Sequence, residues 1–290
     1  MSVPLLSLRR PVQQSAGIIV TSPHSGRCYS QEFLAASRLN ALELRGSEDS
    51  FVDELFDGAP EFGLPMLTAE FPRAWCDVNR EQWELDQAMF SNPLPEYVNT
   101  ASPRVSAGLG TIARVVGAGV PIYRRKLFFE EAKERIETCW CPFHEALRGL
   151  IEESRSIFGY CLVLDCHSMP TPVSRLGKRP DIILGDGHGT SCYSTWIDHI
   201  QTIFENLGFS VLRNDPYAGG FITRHYGRPS EGVHVIQIEI ARSLYMHELQ
   251  FTKKSTFETL RHSMSSFMRK IVSAGQCWGA LGPHFNEAAE

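Results

Sequence analysis

Apolar positions along this chain fall into two patterns. Some form short, nearly continuous runs, as in Gly17-Ile-Ile-Val-Thr-Ser-Pro-His24, Cys161-Leu-Val-Leu-Asp-Cys-His167 and Val233-His-Val-Ile-Gln-Ile-Glu239. Such runs predict strands buried on both faces. Similar segments predict further strands over 64–69, 74–78, 181–184 and 209–213. Other apolar residues recur at helical spacing. Phe51, Val52, Leu55 and Phe56 predict a helix over 48–58 with Ser47 as its N-cap. Phe129, Ala132, Ile136, Cys139, Phe143, Leu147 and Leu150 make one stripe of a long helix over 126–158, which Pro142 should kink or split. Helices over 31–38, 191–207 and 254–273 complete the set. The Pro-, Ser-, Asn- and Gly-rich stretch 91–110 reads as a functional loop or lid, and 214–231 reads as a second loop. Strands alternating with helices predict an α/β fold, a mostly parallel sheet covered by helices on both faces, in one domain over 1–290.

The strand runs carry unusual endings. His24 and His167 sit where strands are expected to stop, and Glu239 lies inside a third. Open α/β sheets bind ligands beyond the carboxyl ends of their strands. A lone turn histidine most simply bonds its own loop. Two strand-end histidines far apart in sequence suit a catalytic zinc, which takes three protein ligands and leaves one position for water. The third ligand would come from Glu48 or Asp49. These acids also suit a plain role at a helix N-terminus, and helical spacing turns Glu48 rather than Asp49 toward the core. Alternation places Val235, Gln237 and Glu239 on one strand face and Ile236, Ile238 and Ile240 on the other. A buried glutamate there is either ion-paired to Arg242 or Arg224, or is a general base. Asp77 and Asn79 share a face, and Asn79-Arg80 would make a carboxylate clamp, since a guanidinium fork matches two oxygens. Arg224 in the 214–231 loop and Arg175, Lys178 and Arg179 after His167 add positive charge. Together they point to a small anionic substrate.

Composition narrows the picture. The 290 residues are 43% hydrophobic and 21% charged, with a net charge of −5, so nothing suggests a nucleic-acid partner. No apolar run is long enough to span a membrane, and the N-terminus lacks a secretory pattern. Eight cysteines are scattered without a CxxC pair. They read as thiols of a reducing compartment, the cytoplasm. Gly185-Asp-Gly-His-Gly-Thr lacks a Walker lysine, no GxGxxG opens a helix, and HExxH and GxSxG are absent.

Ser22-Pro-His-Ser-Gly, Asp77-Val-Asn-Arg80, Asp165-Cys-His-Ser, Leu184-Gly-Asp-Gly-His-Gly-Thr and Gln237-Ile-Glu-Ile occur in this order over nearly the whole chain. In that combination the chain resembles the N-formylglutamate amidohydrolase family, which is similar to zinc carboxypeptidases and aspartoacylase. The resemblance implies a mixed, mostly parallel central sheet flanked by helices, and one zinc ion held by His24, His167 and an acid. It also implies Glu239 as base and Asn79-Arg80 as the carboxylate clamp. Zinc carboxypeptidases place the acid three residues after the first histidine, where this chain has Arg27; the amidohydrolase pattern favours Asp49. The implied reaction is hydrolysis of an N-acyl amino acid, N-formyl-L-glutamate foremost. By their charge and loop positions, Arg224 or Arg175 would serve a second carboxylate or the oxyanion. A zinc hydrolase of another N-acyl amino acid or small peptide is the nearer alternative, and a non-catalytic metal- or ligand-binding protein the more distant one.

Overall fold

The computed structural model describes residues 5–117, 119–170 and 180–281. Its strands are β1 (Leu6–Arg9), β2 (Ile18–Ser22), β3 (Met66–Ala69), β4 (Val115–Val116), β5 (Val120–Pro121), β6 (Cys161–Met169), β7 (Ile182–Gly185), β8 (Val211–Arg213), β9 (Val233–Ala241), β10 (Met246–His247) and β11 (Thr252–Lys253). The α-helices are α1 (Gln31–Ala36), α2 (Ala41–Leu44), α3 (Val52–Leu55), α4 (Pro103–Ser106), α5 (Phe129–Arg135), α6 (Cys141–Phe158), α7 (Ser194–Asn206), α8 (Phe221–Tyr226) and α9 (Phe257–Leu281). Seven strands form one sheet in the order β1-β3-β2-β6-β9-β7-β8. β2, β6 and β9 run parallel, β7 runs antiparallel to β9, and β8 runs parallel to β7. The sheet is therefore mixed and mostly parallel among these pairs, the expected class.

The chain divides into two compact units, Met1–Ser7, Pro23–Ser50 and Thr68–Ala146 in one, and Leu8–Ser22, Phe51–Leu67 and Leu147–Glu290 in the other. In the second unit the strand residues alternate strictly. Ile18 and Val20, Leu162 and Leu164, Ile182 and Leu184, and Ile236, Ile238 and Ile240 pack into one apolar cluster with Ile197, Ile200 and Phe204 of α7 and Leu260, Met264 and Phe267 of α9. The opposite face of the same strands carries Thr21, Asp165, His167, Gln237 and Glu239, all buried. One face stabilises the fold by apolar burial and leaves the other for polar chemistry.

In the first unit, Phe33 tilts against Trp75 and Tyr123, with ring centroids 5.1 and 6.2 Å away. The buried Arg135 lies 3.5 Å from the centroid of Trp75 and donates to the Tyr123 hydroxyl at 2.7 Å, so its charge is met by a π face and an oxygen.

Several elements differ from the sequence reading. The 48–58 helix is reduced to α3. A 3-10 turn ends at Ser47, Glu48 is extended, and Phe51 adopts φ 67°, which no helix interior tolerates. Residues 74–78 form turns rather than a strand. The β6 strand continues to Met169, so His167 lies within it rather than past its end. The 214–231 loop contains α8, which carries Arg224. The long helix does break near Pro142, through a π turn over Ile136–Trp140 whose Cys141 N–H reaches Ile136 O; one extra residue in the turn accommodates the missing proline donor.

Candidate metal centre and its carboxylate partners

His24 stands in the turn after β2. The turn can form because Gly26 lies against the backbone at the end of β3, where an added Cβ would sit 2.1 Å from Phe71 O. The His24 ring is buried between two acids. Its Nε2 is 2.7 Å from Asp77 Oδ1 and its Nδ1 is 3.4 Å from Asp49 Oδ2. Burial works to raise the Asp77 carboxyl, but Arg73, Arg80 and His24 together hold it well below the usual range. An ionised carboxylate can only accept, so Nε2 carries a proton, an assignment made from this network, and Nδ1 is the nitrogen turned toward Asp49. The Asp49 N–H donates to His24 O at 3.0 Å, which fixes the acid beside the ring.

Glu48 is buried too, but its oxygens are occupied. Oε1 accepts from the Tyr29 hydroxyl at 2.6 Å, and Oε2 accepts from Arg45 Nε at 3.0 Å and from the Ser50 hydroxyl at 2.7 Å. Burial and the Glu48 charge push the Tyr29 hydroxyl up, so it stays a donor. The helical spacing that turned Glu48 inward does not apply, because Glu48 is extended and α3 begins only after Phe51.

Asp77 also organises the predicted clamp. Its Oδ1 accepts the Asn79 N–H at 2.9 Å, and its Oδ2 accepts from Arg73 Nη2 at 2.7 Å and lies 3.6 Å from Arg80 Nη2. Arg80 is 8% exposed. It donates through Nε to Leu109 O and through Nη1 to Asn79 O, both at 2.8 Å. Burial lowers its pKa to about 10, opposed by Asp77, so it remains a cation at neutral pH. The 91–110 segment contains α4, and its Leu109 O accepts from Arg80 Nε; a Cβ on Gly110 would sit 2.2 Å from Glu84 O.

The polar face of β6 and β9 supplies the remaining groups. Register pairs His167 with Glu239 and Asp165 with Gln237, which places the four side chains on one face in two adjacent rungs. His167 Nε2 lies 3.0 Å from Asp165 Oδ2, so this imidazole too spends Nε2 on a buried acid. Gln237 donates through Nε2 to Glu239 Oε1 at 2.7 Å and accepts the Gly220 N–H at 2.8 Å. That last bond depends on Gly185, the register partner of Gln237. A Cβ there would sit 2.7 Å from the Ala218 backbone. Arg224 is exposed on α8 and donates to Gly219 O at 3.1 Å. Arg175, Lys178 and Arg179 lie outside the described residues.

Ligand atoms of His24, Asp49 and His167 all lie within 4.8 Å of one another, a group that could hold a metal ion. Two imidazoles and a carboxylate are a donor set that suits zinc. Each imidazole also has a buried carboxylate against Nε2, and a carboxylate on one ring nitrogen is the arrangement that orients metal-binding histidines. Neither carboxylate partner follows from the strand-end pattern that singles out the two histidines. Asp165, two residues before His167 on the same strand face, was visible in the alternation. Alternation sets Asp77 beside Asn79, but no local spacing joins residues 24 and 77.

Among the described residues no helix is long and apolar enough to cross a membrane. The thiols of Cys76, Cys139, Cys161, Cys166 and Cys192 are buried and free, while Cys28 and Cys277 are exposed.

Comparison with known proteins gives a consistent result. The family model described as N-formylglutamate amidohydrolase matches residues 16–246. The chain is 30% identical over 269 residues to an N-formylglutamate deformylase of Pseudomonas putida, covering 91% of this chain and 93% of that protein. It is 28% identical to the deformylase of Pseudomonas aeruginosa, over 90% of this chain and 93% of the other. The crystal structure of an N-formylglutamate amidohydrolase from Ralstonia eutropha JMP134 superposes with a TM-score of 0.89 at 33% identity, covering 95% of this chain and 100% of that one.

Proposed function

The chain belongs to the N-formylglutamate amidohydrolase family, and from that premise we propose that it hydrolyses the amide of N-formyl-L-glutamate to formate and L-glutamate. The observation that carries the reading is the His24, Asp49 and His167 group, in which both histidines set Nε2 against a buried carboxylate. One zinc ion is the cofactor proposed. When bound it would polarise the formyl carbonyl and bring the pKa of water to about 7.

The protein's own groups then have separate tasks. Glu239, oriented by Gln237, takes a proton from the attacking water. Water oxygen bonds to the formyl carbon, the C–N bond breaks, and Glu239 returns the proton to the departing amine nitrogen. Asn79 and Arg80 hold the substrate carboxylate; the Arg80 fork is preset by two backbone carbonyls and keeps its charge at neutral pH. Arg224 or Arg175, by the positive charge that the sequence places in their loops, is proposed for the second carboxylate or the developing oxyanion.

The test is metal analysis together with formate and acetate release across N-formyl and N-acetyl amino acids. Zinc at one per chain with release from N-formyl-L-glutamate above all others is expected. Zinc with a preference for another acyl amino acid would leave the chemistry and overturn the substrate. Absence of zinc and of any release would favour a binding protein. Glu239→Ala should keep zinc and lose turnover by about 10²–10⁴-fold; near-normal kcat would remove Glu239 from the role of base.

A further inference from the structure

Beyond the hydrolytic site, we propose that a cavity in the first unit binds a compact, multiply charged oxyanion, a metabolite bearing phosphate or several carboxylates. The cavity measures about 370 Å³ and is lined by Arg38, Arg114, Arg124, Arg125 and Lys126 with Tyr123 and a few apolar residues. Its volume falls in the range of small-molecule sites, about 300–1,000 Å³. No acidic residue lines it, and neither do the candidate ligands, base or clamp residues.

The charge is out of balance with the rest of the chain. In a protein of net charge −5, these five cations have two carboxylate partners, Asp86 on Arg114 at 2.8 Å and Glu131 on Arg125 at 2.9 Å. Arg124 and Lys126 make no side-chain hydrogen bond or ion pair with the described residues. Converging like charges disfavour one another unless an anion lies among them.

The donors are also arranged for recognition. Arg38 is tethered through Nε to Tyr123 O at 2.7 Å, and Arg114 through Nε to Asp86 Oδ2 at 2.8 Å. Neither guanidinium makes another hydrogen bond to the described residues, so each keeps both Nη groups. A tethered fork loses less freedom on binding and matches paired oxygens, whether of a phosphate or of a carboxylate. Two tethered forks beside two unpaired cations call for more than one anionic group on the ligand. Backbone pairing keeps the wall in place, with Arg38 N–H donating to Ile122 O at 2.7 Å and Arg124 N–H to Ala36 O at 3.1 Å.

The test is isothermal titration of the full-length protein with sodium pyrophosphate and, separately, with citrate, at low and at about 0.3 M salt. Binding of at least one probe that weakens with salt is expected. Arg124→Ala/Lys126→Ala should weaken it at least tenfold with an unchanged unfolding midpoint in probe-free buffer, since neither side chain holds a partner. Pyrophosphate alone would identify phosphorylated ligands and citrate alone polycarboxylic ones. No heat from either probe, or equal affinity in the double variant, would overturn the proposal.

Discussion

Asp77→Asn separates a metal-orienting role from a purely structural one. Asp77 accepts from His24 Nε2 at 2.7 Å and the Asn79 N–H at 2.9 Å on one oxygen, and from Arg73 at 2.7 Å on the other. Asparagine keeps the shape, removes the charge, and must turn an NH2 toward one of these donors. A hydrogen bond to a charged group contributes roughly 1.5–3 kcal/mol, about twice a neutral one, so the His24 bond alone loses about 1 kcal/mol. The nearly buried Arg80 also loses a counter-charge, and metal-free stability should fall by about 1–3 kcal/mol in all. Zinc affinity should fall by about 10–100-fold, the usual effect of removing such a partner, or roughly 1.4–2.7 kcal/mol. Chelator competition reads the affinity, and urea unfolding in EDTA reads the stability. The pH dependence adds a sign. The folded-state pKa of Asp77 is depressed, so its contribution is present above the unfolded value of about 3.9 and is lost as pH falls through the folded value. The stability gap between wild type and variant should close in strong acid. If Asp77→Asn holds zinc within about twofold of wild type, Asp77 does not orient His24.

Three further outcomes follow from the same geometry. Gly26→Ala would force a Cβ to within 2.1 Å of Phe71 O, so it should weaken zinc binding at least tenfold and lower the unfolding midpoint; a variant with unchanged affinity would show that the turn has slack. Gln237→Glu would set a carboxylate beside Glu239 Oε1, now 2.7 Å from the amide nitrogen, and like charge raises the pKa of the base. The acid limb of its pH–rate profile should move up by about a unit, and an unmoved limb would mean that Gln237 does not position the base. Burial lowers His234 to about 3, below an unfolded value of about 6.5, so the unfolded chain binds the extra proton in between. Stability is lost as pH falls across that window, by up to about 1.4 kcal/mol per pH unit. His234→Phe should flatten the slope between pH 6 and 4, and an equal slope in the variant would assign the effect elsewhere.

The fold was legible where apolar periodicity met no competing constraint. The apolar runs that lead to His24, to His167 and to Glu239 became the three central strands β2, β6 and β9, because each buries both faces. Their alternation is what separates the isoleucines of β9 from Glu239 and Gln237. Failures came where tertiary contacts overrode local pattern. Phe51, Val52, Leu55 and Phe56 have helical spacing, yet the chain enters at a left-handed Phe51 and completes only one turn. Residues 74–78 alternate like a strand, but the Asp77 N–H donates to Thr111 O rather than to a sheet neighbour. Periodicity reports which side of a segment is apolar, and says nothing about where its backbone hydrogen bonds go.

The same distinction explains the candidate site. His24, His167 and Glu239 were conspicuous because polar groups at buried strand positions are costly without partners. The partners were the part that had to be found in three dimensions. Asp77 answers His24 across 53 positions of sequence, and Gln237 joins Glu239 to Gly220 only because Gly185 lets that backbone close in. Asp49 and Glu48 show why spacing alone could not choose an acid. Both are buried neighbours, but Glu48 is tied to Tyr29, Arg45 and Ser50 while Asp49 lies beside the His24 ring, and these surroundings are assembled from segments that no local motif connects.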